Sequence, residues 1–167
     1  DGAVATATTK GGQRLVVTRL LPPGATFTAS PAEADGNAEG DPMPVRLVGE
    51  DPARPRDVRF LHVLEGADAG ARPTPVEVVR SASGPRYEGA LVGNVAVLFP
   101  VDLASPAGAA GVAFVAPARA TAHVVTGLAP GASYAVTRTP RGDAVEVAIR
   151  PGAGAKADAA GVLAAGL

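Results

Sequence analysis

Residues 86–100 read Arg-Tyr-Glu-Gly-Ala-Leu-Val-Gly-Asn-Val-Ala-Val-Leu-Phe-Pro, two short apolar runs on either side of Gly93-Asn94. Each run is the length of a strand and too short for a helix, and a Gly-led pair between them is a tight hairpin signal. In the order Gly-Asn it favours a type II′ or bulged turn. The stretch therefore predicts two antiparallel strands, Arg86–Val92 and Val95–Pro100.

The same grammar extends in both directions. Ala144–Arg150 places Val145, Val147 and Ile149 on one face and Ala144, Glu146 and Ala148 on the other, as a strand with one buried side should. Further strands are expected at Gln13–Leu21, Ala25–Ala29, Pro44–Val48, Val58–Glu65, Pro75–Arg80, Val112–Val115, Ala120–Thr126, Ser133–Arg138 and near Gly161–Ala165. Gly, Pro, Asn and Asp cut them at intervals of roughly ten residues. Val58–Glu65 carries apolar residues on both faces and is expected to be central. So many short strands exceed one ordinary open sheet, and the expected fold is all-β: an antiparallel two-sheet β-sandwich of about 10–12 strands. Residues 1–12 are expected to be a flexible or strand-donating segment, and 13–167 a single sandwich domain. The few large core pieces would be Phe27, Phe60, Phe99, Phe114, Tyr87 and Tyr134.

Composition narrows the partners. There are 167 residues and no cysteine, so the chain can bury a core and has no disulfide, thiolate ligand or thiol nucleophile. Fifteen Lys+Arg against sixteen Asp+Glu, interspersed, provide no basic stripe for nucleic acid. No run is long and apolar enough for a membrane span. The chain starts at Asp1 without Met, which fits a processed secreted protein or a domain cut from a longer polypeptide, so an extracellular location is expected.

Candidate site residues are few. Asp35, Asn37, Glu39 and Asp41 place hard oxygen ligands within seven residues, a composition suited to Ca²⁺ but without an EF-hand pattern. The competing reading is a solvated loop, and no other cofactor is expected. Arg54, Arg56 and Arg59 could receive sulfate or carboxylate groups of an acidic polysaccharide, or simply charge a strand edge against aggregation. His62, between Phe60 and Leu64 on one strand face, is expected to be a structural ring satisfied by a neighbouring partner. His123 is expected to be a partly exposed strand residue. No nucleophile elbow, phosphate loop or paired carboxylates appear, so no catalytic residue is assigned.

The order of several pieces resembles a known family: Arg14–Val17 leading to Leu20–Ala25, then Asp57–Leu64, Glu88–Ala90 with Val97–Phe99, and Leu128–Tyr134 with Asp158–Leu163. Together they resemble the C-terminal β-sandwich of heparinase II/III-like polysaccharide lyases. The resemblance implies a non-catalytic module, structural or glycan-associated, whose catalytic groups lie on a preceding α/α-toroid that this chain does not encode. The stretch Gly127–Tyr134 is also similar to the tyrosine corner of fibronectin type III domains, which implies an architectural role for Tyr134. The alternative is a self-assembling subunit of an extracellular filament or surface layer, its ends Asp1–Thr9 or Gly161–Leu167 adding as strands to a neighbour.

Overall fold

The structure is a computed structural model that describes residues 3–31, 45–102, 104 and 110–166. Among these residues it is all-β, with fourteen strands and no helix. The chain separates into two compact units, Asp1–Pro73 and Thr74–Leu167, so the boundary falls inside the stretch expected to be one domain.

The first unit holds β1 (Val4–Thr8), β2 (Arg14–Leu21), β3 (Thr26–Pro31), β4 (Val45–Glu50) and β5 (Leu61–Ala67). They form a three-stranded antiparallel sheet in the order β1-β2-β5 and a separate β3-β4 pair. The segment expected to be flexible or strand-donating carries a strand, with Val4–Thr8 registered against Arg14–Thr18. β5 begins at Leu61, later than expected, and lies at the sheet edge, while β2 is central. Its two apolar faces do not mark a doubly covered strand: Leu64 is 63% exposed. Among the described residues, the buried apolar side chains of this unit are Val16, Leu21 and Ala25.

The second unit holds β6 (Val76–Ser83), β7 (Tyr87–Val92), β8 (Val95–Pro100), β9 (Val112–Pro117), β10 (Ala122–Val125), β11 (Ser133–Arg141), β12 (Ala144–Pro151), β13 (Ala155–Lys156) and β14 (Leu163–Ala165). These make one nine-stranded sheet, β13-β11-β12-β9-β6-β7-β8-β10-β14. β6 is its fold line. Val76–Arg80 pairs with β7, whereas Ser81 and Ser83 pair with β9 across a register shift, and such a bulge bends a strand and lets one sheet become two layers. β7 and β8 form the expected hairpin, with Val92 opposite Val95 and positive φ at Gly93 alone of its two loop residues, which is the type II′ requirement.

The alternation seen in the sequence sets which side chains go inside. Val145, Val147 and Ile149 of β12 join Phe114 of the neighbouring β9, Leu91 of β7, Leu98 of β8 and Leu163 of β14 in one buried cluster. One pairing departs from the antiparallel expectation: β8 and β10 run parallel, Ala122–Val125 against Val95–Leu98. Two of the expected core aromatics turn outward. Phe99 is 46% exposed because Ala96 and Leu98 take the inward positions of β8, and Phe60 is 41% exposed in the connection before β5.

Two tyrosines from opposite layers hold one loop. The Tyr134 hydroxyl on β11 accepts the Ala129 N–H at 2.9 Å, and the Tyr87 hydroxyl on β7 donates to the Thr126 carbonyl at 3.1 Å. Both rings are fully buried. The backbone passing from β10 in one layer to β11 in the other is therefore fixed at both ends by phenol groups.

Candidate functional site

Asp51-Pro52-Ala53-Arg54, just after β4, is a turn sequence, and its Asp does what Asp does in turns: Oδ1 accepts the Ala53 N–H at 2.9 Å and the Asp51 carbonyl accepts the Arg54 N–H at 3.0 Å. The turn leaves Arg54 at φ 44°, the left-handed region, which costs a residue with a Cβ about 1 kcal/mol or more. Arg54 is the non-glycine residue so placed among the described residues.

That turn forms one wall of an open pocket of ≈ 660 Å³ lined by Thr26, Gly49, Glu50, Asp51, Pro52, Arg54 and Phe60. The Arg54 side chain makes no hydrogen bond or ion pair with any described residue. Asp51 is committed to its turn. Glu50 provides a free carboxylate wall and Thr26 a hydroxyl, and Phe60 adds an exposed ring.

His62 backs the Phe60 ring. Its centroid lies 5.8 Å from that of Phe60 and 5.2 Å from that of Phe27, both tilted. Its Nε2 is buried with no hydrogen-bond partner, contrary to the expected satisfied ring, because its neighbours on that side are aromatic carbon and Gly49. Burial first, and then the Arg19 charge, push its pKa below the ordinary histidine value.

Of the sequence-assigned arginines, Arg54 lines the pocket, while Arg56 and Arg59 are exposed on the same connection and do not line it. Phe60 joins Arg54 there as a wall rather than as a core residue. Thr26 and Glu50 carried no sequence signal, since the β3-β4 pairing Thr26↔Glu50 brings them together. Asp35, Asn37, Glu39 and Asp41 lie outside the described residues. Among the described residues no group of three His, Cys, Asp or Glu is placed to hold a metal ion, and no helix is long and apolar enough to cross a membrane. His123 is 1% exposed instead of partly exposed, because its face of β10 is the inner one. No protein-family model, curated protein or solved structure matches the chain.

Proposed function

We propose that this chain is a non-catalytic, extracellular β-sandwich module of the kind that follows the toroid in heparinase II/III-like lyases, and that it associates with an acidic glycan through Arg54 and Phe60. The observation that carries the reading is an unengaged guanidinium, held in a strained backbone conformation, beside an exposed aromatic ring at one concave site. Backbone strain of this kind concentrates at ligand-binding positions. A guanidinium takes a carboxylate or sulfate in a two-point hydrogen-bonded contact, and an aromatic face accepts the apolar side of a sugar ring. The Glu50 carboxylate and Thr26 hydroxyl are then available to sugar hydroxyls.

Calorimetric titration of the whole chain with a uronate-containing oligosaccharide tests this, with a neutral dextran of equal length as control. The reading expects binding of the acidic chain alone and a loss of about tenfold or more in Arg54→Ala, the worth of one charge-assisted hydrogen bond. Equal binding of both saccharides, or an Arg54→Ala variant that binds as wild type, would overturn it.

A second reading, self-association by strand addition, draws on Leu64, exposed at the β5 edge and on the same sheet face as Leu15 and Val17. Against it, the expected donor ends are engaged: Val4–Thr8 pairs with β2, and Leu163 is fully buried in the second unit's core. Light scattering separates the readings, a monomer at micromolar concentration favouring the first and ordered oligomers the second.

A further inference from the structure

β14 is three residues long and ends the nine-stranded sheet, paired to β10 alone through His123↔Ala165, Val124↔Ala164 and Val125↔Leu163. Alternation puts His123, Val125 and Leu163 on the inner face. The His123 ring meets the Phe114 ring from the other layer edge-on at 5.6 Å, and neither of its nitrogens has a hydrogen-bond partner. A neutral imidazole always carries one N–H donor and one acceptor, so this ring leaves both unsatisfied in the core.

Among the described residues, its surroundings offer no acceptor for a proton. The facing residues of β8 (Ala96, Leu98), β9 (Phe114) and β14 (Leu163, Ala165) are apolar. The charge that acts on the ring is Arg138 of β11, which donates to the Ala120 carbonyl at 2.7 Å, while Arg119 of the preceding turn is neutralised by its ion pair with Glu77. Burial first, and then Arg138, hold the His123 pKa below the ordinary value.

We propose that His123 is an acid-sensitive lock on the last strand: the ring takes up a proton only when β14 leaves β10 and water enters at that edge, so mild acid releases residues 163–166 and bares the outer edge of β10. β14 is the element able to yield, being short and, among the described residues, strand-paired along one edge only, whereas β12 is paired along both edges. Its close seating supports the lock. Gly166 has φ 74° and lies so near β10 that a Cβ there would stand 2.3 Å from the Thr121 carbonyl oxygen.

The sign follows from linkage. The closed state binds the proton less readily than the open one, so closure is at full strength above the open-state pKa of about 6.5 and weakens as pH falls below it, approaching tenfold per pH unit. Hydrogen exchange of the whole chain, corrected for intrinsic rate, is read on the peptide covering 163–166 and on β12. Protection of 163–166 falls about 30-fold between pH 7.5 and 5.0 in the wild type, and less than about twofold in His123→Phe. Gly166→Ala has low protection of 163–166 already at pH 7.5. Equal pH dependence in His123→Phe overturns the proposal, as does parallel loss in β12, which would mean global unfolding. If His123→Phe does not fold, ring NMR of the wild type decides. Signals of a neutral His123 at pH 5.5 in the closed state support the lock, and titration near pH 6.5 with β14 still protected overturns it.

Discussion

Changing Tyr134 to Phe removes one oxygen and leaves the ring in place, so the effect isolates the loop tie from core packing. The hydroxyl accepts the Ala129 N–H at 2.9 Å, and Ala129 is half-buried, so water can replace only part of the lost bond. An orphaned donor costs about 1–3 kcal/mol when fully desolvated, and partial access places this one near 1–2 kcal/mol. For a unit of this size each kcal/mol moves the melting temperature by about 4–8 °C, so a fall of about 4–16 °C is expected for the Thr74–Leu167 transition. Differential scanning calorimetry measures it. Tyr87→Phe, which frees the Thr126 carbonyl at the other end of the same loop, should cost about 1 kcal/mol. Because both hydroxyls hold residues 126–129, the double variant should lose less than the sum by about 0.5 kcal/mol or more. A Tyr134→Phe transition within 2 °C of wild type, or strictly additive losses, would refute the reasoning that the two layers are tied through this loop.

Three further outcomes follow from burial and charge. Leu98→Ala, at a fully buried core position, should cost about 2–5 kcal/mol in urea unfolding, whereas Leu64→Ala, at an exposed edge position, should stay within about 0.5 kcal/mol. Burial raises the Glu88 pKa, but hydrogen bonds and charge from Arg86 and Arg80 outweigh this and hold it below the usual carboxylate value. Its contribution is therefore complete above about pH 4.5 and is lost as pH falls through the lowered value; because both arginines are exposed, Glu88→Gln should cost under about 1 kcal/mol at neutral pH, less in high salt, measured by urea midpoints. Glu50→Gln, which removes a carboxylate from the Arg54 pocket without touching its turn, should tighten binding of an acidic saccharide about two- to fivefold in the same calorimetric titration.

Strand existence was legible wherever local pattern decides it. The alternation at 144–150 and the Gly93-Asn94 hairpin correspond to β12 and β7-β8 with boundaries shifted by a residue or so. Pairing order was not legible, because it is non-local. The parallel β8-β10 contact joins segments separated by more than twenty residues, and the fold line in β6 rests on a register shift at Ser81–Ser83 that no residue type announces. Edge and centre were confused for the same reason. The sequence of Val58–Glu65 is apolar on both faces and so reads like a buried strand, yet among the described residues β5 pairs with β2 alone and leaves Leu64 exposed. His123 shows the reverse: a titratable residue in a short strand looks half-exposed until the folded sheet places its face inward. For the candidate site, Arg54 carried its own chemistry in the sequence. Its pocket did not, because Thr26, Glu50 and Phe60 come together only through the β3-β4 register and the turn at Asp51.

The most direct test of glycan association at Arg54 is an NMR titration of the isotopically labelled whole chain with a uronate-containing oligosaccharide. Arg54, Phe60, Glu50 and Thr26 should shift together in one saturable process while the second unit stays unmoved. Shifts spread evenly over exposed arginines without saturation, or none at residues 49–60, would contradict it.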